Sequence, residues 1–180
     1  MENSSSGKTQ FVLLQGAILG ALNVALLAVL YLFGKYNSGW TALVWLIYFA
    51  FIPWSIVKLR NTFMGGYITY GESLGHGLKI SILSGVIVGF FNFLIFKYDA
   101  TLAQEFVSHL EEGYLAAGMT EAQVEQMGGL ISIVTNPWFL LFSNMLGGVF
   151  YGLIVSLIVS FTTMRKKDPF QDAMKTVEND

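Results

Sequence analysis

The stretch FVLLQGAILGALNVALLAVLYLF, residues 11–33, is 23 residues long and contains no charged side chain. An α-helix rises about 1.5 Å per residue, so this stretch is long enough to cross a hydrocarbon layer of about 30 Å. A cleaved signal peptide has a shorter apolar region, followed by a small-residue cleavage site that this sequence lacks. We therefore predict a retained transmembrane helix.

Three further runs without a charged side chain lie at residues 40–57, 80–96 and 138–164, and the helix of the 80–96 run is predicted to begin near Ser73, so that it covers 73–96. Charged residues make up 12% of the 180 residues, which is about half the fraction of a soluble domain. The chain has no cysteine, which excludes structural disulfides and thiolate metal ligands. We predict an all-α integral membrane bundle of four transmembrane helices, with a short extramembrane helical hairpin between helices three and four.

The segment at 99–136 contains six acidic residues and no lysine or arginine, and its apolar residues recur at helical spacing. Thr120 followed by Gln123 predicts a capping box within it. The sequence thus predicts four transmembrane helices, at 11–33, 40–57, 73–96 and 138–164. The predicted cytoplasmic segments are an N-terminal tail at 1–10, a glycine-rich loop at 58–72 and a C-terminal tail at 165–180. The predicted external segment is the acidic helical hairpin at 99–136.

The basic residues predict the orientation of the bundle. Eight of the ten lysines and arginines fall on the side of the N-terminus, and only Lys35 and Lys97 fall on the other side. Because cytoplasmic loops carry the excess of basic residues, we predict that both termini are cytoplasmic.

Two of the spans share a motif, G-x-I-x-G-x-x-N, in GAILGALN at 16–23 and GVIVGFFN at 85–92. The fourth span carries a reversed version in NMLGGVFYG at 144–152. The repeat is compatible with an internal duplication or with convergence on the same packing requirement. The residues involved are the asparagines Asn23, Asn92 and Asn144 and the glycine pairs Gly16/Gly20, Gly85/Gly89 and Gly148/Gly152.

Each glycine pair has GxxxG spacing, which allows two helix backbones to approach closely in a membrane. Each asparagine lies one turn from its pair, at similar depth. The interpretation that we favour is a packed three-helix seam in which the amides form hydrogen bonds across the contact. The alternatives are a polar site for an ion or a lipid head group, and self-association through one glycine face.

A second polar group lies where the third span enters the membrane. Glu72, His76 and Lys79 are spaced i, i+4 and i+7, so they share one helix face. They form a candidate site for a phosphate head group or a proton relay. The alternative is an ordinary helix start, with Lys79 reaching back to the membrane surface. His109 in the hairpin has no suitable histidine or cysteine partner, so we predict no metal site and no cofactor.

Three stretches carry a family resemblance: GGYITYGESLGHGLKIS at 65–81, AAGMTEAQVEQM at 116–127 and GGVFYGLIVSLIVSFTTMRKKDPF at 147–170. They resemble the family catalogued as domain of unknown function 4199, four-helix inner-membrane proteins typical of the Bacteroidota. The resemblance covers about residues 10–170. It implies a multi-pass protein of the bacterial inner membrane, and it implies no established activity and no catalytic residues.

No enzyme, nucleotide-binding or calcium-binding motif is present, and no basic face indicates nucleic acid. No ionisable residue lies in the middle of a span, which disfavours a proton-coupled pump. We predict a non-enzymatic integral membrane protein, a structural or accessory subunit that packs against the lipid bilayer and binds another membrane protein or itself. The alternative is a small carrier or flippase-like protein for a lipid-linked or amphiphilic substrate. A membrane-embedded enzyme is disfavoured because no acid/base pair shares a depth.

Overall fold

The computed structural model describes residues 2–165, with side chains from residue 6 onward. This part of the chain forms seven α-helices and a short 3-10 helix at Gly39–Ala42. The α-helices are α1 (Glu2–Leu32), α2 (Leu43–Phe63), α3 (Tyr70–Tyr98), α4 (Ala100–Ala116), α5 (Glu121–Gln126), α6 (Gly128–Val134) and α7 (Pro137–Thr163). The described residues contain no β-strand, and Ile68 and Arg165 form an isolated antiparallel bridge.

Four segments are long and apolar enough to cross a membrane: Ser6–Leu32, Gly39–Phe63, Tyr70–Tyr98 and Pro137–Thr163. They coincide with the four predicted spans. The predicted all-α membrane bundle is therefore confirmed, and the protein is a multi-pass membrane protein.

The helices extend further than the apolar runs. α1 begins at Glu2, so most of the predicted tail at 1–10 is helical. α2 continues past its basic residues to Phe63, since lysine and arginine are good helix formers. The Lys58 ammonium lies 4.8 Å from the centre of the Trp54 ring, and Arg60 donates a hydrogen bond to the Thr163 carbonyl oxygen at 3.1 Å. The predicted loop at 58–72 is consequently confined to residues 64–69, and residues 166–180 of the predicted C-terminal tail lie outside the described residues.

The α4–α6 segment contains three helices, one more than the two of the predicted hairpin. The third helix, α6, begins with Gly128 and Gly129 and continues with β-branched residues, which are poor helix formers. Its buried Ile131 indicates that packing stabilises it. The predicted capping box between Thr120 and Gln123 is present at the start of α5.

Asp99 connects the α4–α6 segment to the bundle. Its carboxylate caps α4 and accepts a hydrogen bond from the Tyr31 hydroxyl of α1 at 2.6 Å. The Tyr31 hydrogen bond, followed by those from the backbone N–H groups of α4, lowers the pKa of the Asp99 carboxyl.

The central helix of the bundle is α3, which packs between α1 and α7. Its contact with α7 is made by small residues at four-residue spacing, so the two backbones touch. A Cβ atom placed on Gly148 would lie 2.7 Å from the Gly85 Cα and 2.8 Å from the Ser81 carbonyl oxygen. Gly152 likewise packs directly against Ser81.

The contact of α3 with α1 uses the other face of α3. A Cβ atom placed on Gly16 would lie 2.9 Å from Leu83, and one on Gly20 would lie 2.8 Å from Ile87. All four spans contribute to the core, whose buried apolar residues include Leu19, Ile52, Ile80 and Val155.

Candidate functional site

The structure contains a cavity of about 580 Å³ at the end of the bundle where α1 and α3 begin and α2 ends. We call it the lysine cavity. Glu72, His76 and Lys79, which the sequence placed on one helix face, all line it. Lys8 from α1 lines it as well. No sequence signal indicated Lys8, because its position depends on how α1 packs against α3.

The two lysines of this cavity lie near Glu72 and His76 without forming an ion pair among the described residues. Neither Lys8 nor Lys79 makes a salt bridge with a residue that the structure describes. The Glu72 carboxylate is engaged in the capping box of α3, where it accepts hydrogen bonds from the Thr69 backbone N–H at 3.0 Å and the Thr69 hydroxyl at 2.8 Å. The cavity therefore offers two ammonium groups and one carboxylate that is already bonded.

Glycine keeps this cavity open. Gly71 and Gly75 line it, and a Cβ atom on either residue would meet nothing within 4 Å. Neither glycine has a positive φ angle, so neither backbone geometry nor close packing requires glycine here. Glycine inside a helix costs about 1 kcal/mol relative to alanine. Two such residues in the first turns of α3 preserve empty volume at the expense of helix stability.

His76 forms the floor of the lysine cavity and is 3% exposed. Its Nε2 atom lies 2.8 Å from the Ser55 Oγ of α2, and its ring stacks on Phe11 of α1 with centroids 5.9 Å apart. The Nδ1 atom is buried and has no hydrogen-bond partner within the described chain. Leaving such an atom unpaired costs roughly 1–3 kcal/mol, which a ligand able to pair with it would recover.

The Ser55–His76 distance resembles that of a nucleophile and its general base. Ser55, however, is 0% exposed and does not line the lysine cavity. No carboxylate orients the ring through Nδ1, because that atom has no partner among the described residues. We interpret the pair as a contact that positions the imidazole.

A second cavity, of about 410 Å³, lies at the opposite end of the bundle between α1, α2, α3 and α7. We call it the asparagine cavity, because Asn23, Asn92 and Asn144 all line it. Within the part of the chain that the structure describes, no hydrogen bond joins two of these side chains. The three amides thus surround a cavity and do not bond to one another. Of the expected hydrogen bonds across the helix contact, Asn23 makes one, to Ser84 Oγ of α3.

The reason is that each asparagine finds a partner elsewhere. Asn23 Nδ2 donates to the Leu19 carbonyl oxygen of its own helix at 3.0 Å and to Ser84 Oγ at 3.2 Å. Asn144 Nδ2 also donates within its own helix, to the carbonyl oxygen four residues earlier, at 2.7 Å. Asn92 Oδ1 accepts a hydrogen bond from the Tyr36 hydroxyl. Burial raises the pKa of Tyr36, which keeps this hydroxyl protonated and able to donate.

The six glycines of the three predicted pairs all pack within the chain. Gly16 and Gly20 contact α3, whereas Gly85 and Gly89 of α3 contact α7 and Gly148 and Gly152 of α7 contact α3. The described residues contain no group of three or more His, Cys, Asp or Glu residues that could hold a metal ion, and His109 is exposed on α4.

The family model described as "protein of unknown function (DUF4199)" matches residues 14–165. The chain belongs to the DUF4199 family. This confirms the resemblance stated above. In this DUF4199 protein the matched range contains the whole asparagine cavity and most of the lysine cavity, but it begins after Lys8. No similar curated protein and no similar solved structure was found.

Proposed function

We propose that this DUF4199 protein is a non-enzymatic, flippase-like carrier for an amphiphilic molecule with an anionic head group. We also propose that it resides in the bacterial inner membrane with both termini in the cytoplasm. The observation that carries the proposal is the lysine cavity, which combines two lysines that form no salt bridge with a described residue and a wall left open by glycine.

The chemistry of this cavity fits an anionic head group. Lysine ammonium groups bind phosphate oxygens with charge-assisted hydrogen bonds. A volume of about 580 Å³ falls within the range of small-molecule sites. Val12, Leu59 and Met64 supply an apolar wall beside the charged groups, so the cavity suits a molecule with one charged end and one apolar end.

The packing of the glycines weighs against the accessory-subunit function. A free GxxxG face is one way in which such a subunit could bind a partner helix. All six of the predicted glycines instead contact another helix of the same chain. We therefore propose that the GxxxG pairs serve packing inside the protein.

The proposal is tested by lipid transfer in reconstituted vesicles. Purified protein is incorporated into liposomes that contain fluorescent NBD-labelled phosphatidylglycerol, and transfer between leaflets is followed by dithionite quenching. We expect the protein to accelerate transfer above that of protein-free vesicles. NBD-labelled phosphatidylcholine, which has no net charge, should be transferred more slowly.

The decisive variant is Gly75→Leu, which fills the lysine cavity without a backbone clash because nothing lies within 4 Å of the added Cβ. We expect its transfer rate to fall to the protein-free background. Gly113→Leu is the matched control, because Gly113 is also helical and unobstructed but lies on α4 away from the cavity. Wild-type protein that transfers no labelled lipid, or Gly75→Leu protein that retains the full rate, would contradict the proposal. Co-purification of wild-type protein with a stoichiometric partner, without transfer, would support the accessory-subunit function.

A further inference from the structure

The asparagine cavity differs in chemistry from the lysine cavity. No aspartate, glutamate, lysine, arginine or histidine is among the residues that line it. A charged ligand would therefore lose its hydration without gaining a counter-ion, which is costly at membrane depth. This argument favours an uncharged ligand.

The cavity wall has unused hydrogen-bonding groups of both kinds. Asn23 is 0% exposed, and its Oδ1 atom has no hydrogen-bond partner within the described chain. This atom is an acceptor. Asn92 uses its Oδ1 atom to accept from Tyr36, and its Nδ2 group donates to none of the described residues. That group is a donor. A hydroxyl group is the simplest ligand group that satisfies both, because it donates and accepts.

The remaining wall of the cavity is aromatic. Trp45 and Tyr151 pack edge to face with centroids 4.3 Å apart, and the Tyr48 ring lies 5.4 Å from Tyr151. Small-molecule sites commonly combine such apolar and aromatic walls with a few polar groups that fix orientation. The C–H faces of a ring-shaped polyol can pack on these aromatic side chains while its hydroxyls face the amides.

We infer that the asparagine cavity is a binding site for an uncharged polyhydroxylated ligand, such as a sugar or a cyclic polyol. The Tyr36 side chain, held by its hydrogen bond to Asn92, closes one side of this site. The inference goes beyond the proposed carrier function and does not depend on it, because the two cavities share no lining residue.

The test is thermal unfolding of purified full-length protein in a polyoxyethylene detergent, which contains no sugar. The probes are glucose, myo-inositol and choline chloride, each titrated into the millimolar range. We expect a saturable increase in the unfolding temperature of the wild-type protein with glucose or myo-inositol and none with choline. A saturable increase distinguishes binding from the general stabilisation by excluded sugars, which grows without saturation.

Two variants target the site in different ways. Gly39→Leu adds volume to the cavity, since nothing lies within 4 Å of its added Cβ, and Asn144→Leu removes a half-buried amide from the wall. Each should weaken the apparent polyol affinity about tenfold or more, as expected when a site loses space or a hydrogen-bonding group. Gly75→Leu in the lysine cavity should leave the polyol affinity unchanged.

Three results would overturn the inference: no saturable stabilisation by either polyol, equal stabilisation of the wild-type protein and both folded variants, or stabilisation by choline alone. If Asn144→Leu does not fold, Gly39→Leu provides the comparison, because it removes no hydrogen bond. The polyol result is read without lipid transfer, so failure of the carrier function leaves it unaffected.

Discussion

Gly148 provides the sharpest test of how the bundle is held together. A Cβ atom on this residue would lie 2.7 Å from the Gly85 Cα and 2.8 Å from the Ser81 carbonyl oxygen. Both obstacles are backbone atoms and cannot rotate away. To restore an ordinary contact of 3.4 Å, α3 and α7 must move apart by about 0.7 Å along the line from this Cβ to the Gly85 Cα. Such a shift loosens every close contact along the two helices.

Gly147 is the matched control for this experiment. It occupies the preceding position in the same helix, and the nearest atom to an added Cβ is a Tyr151 side-chain carbon at 3.9 Å. Both glycine-to-alanine changes gain about 1 kcal/mol of helix propensity. Only Gly148→Ala also incurs the cost of overpacking, typically about 1–3 kcal/mol. We therefore expect Gly148→Ala to be less stable than Gly147→Ala by about 1–3 kcal/mol.

The measurement is reversible unfolding in mixed micelles at increasing SDS fraction, followed by helical circular dichroism. Gly147→Ala should unfold at the same SDS fraction as the wild-type protein or a higher one, and Gly148→Ala should unfold at a lower one. Equal stability of the two variants would refute the close contact between α3 and α7.

Three other perturbations have defined outcomes. Ser55→Ala removes the partner of His76 Nε2, so the free energy of unfolding in the SDS assay should fall by about 1–3 kcal/mol; no change would mean that the imidazole finds another partner. Tyr31→Phe removes the hydrogen bond that contributes most to lowering the pKa of Asp99, so that pKa should rise towards 3.8 in an NMR carboxylate titration. The stability contributed by this lowered pKa exists above the unfolded-state pKa and is lost as pH falls through the folded-state value, so Tyr31→Phe should reduce the acid sensitivity of unfolding. Thr120→Ala breaks the capping box of α5 and should destabilise that helix by about 1 kcal/mol, seen as faster amide hydrogen exchange in α5 only.

The four spans were predictable from sequence because the hydrocarbon layer requires long, uncharged helices. The ends of the helices were not. Arg60 follows an apolar run but lies inside α2, which continues to Phe63, and its side chain donates to the Thr163 carbonyl oxygen across the bundle. A hydropathy profile shows where an apolar run meets its first charged residue. A helix ends where its backbone N–H and C=O groups form hydrogen bonds outside the helix.

The candidate sites, like the helices, were predictable from the sequence only in part. Glu72, His76 and Lys79 share one helix, so helical spacing alone grouped them, whereas Lys8 joins them only through the packing of α1. The common depth of the three asparagines was also readable from the sequence. Their hydrogen-bond partners were not predictable, because the distance between helices determines whether an asparagine side chain bonds to its own helix or to a neighbouring one. Asn23 does both.

The contact of Gly16 and Gly20 with α3 has a mechanical consequence. On α1 this contact lies between Lys8, which lines one cavity, and Asn23, which lines the other. The partner helix α3 is fixed to α7 by backbone contact along its length and by the bridge between Ile68 and Arg165. The glycine pair therefore holds α1 against α3 at a point between the two cavities. This contact acts as a partition, so a ligand in one cavity is separated from a ligand in the other by closely packed backbone.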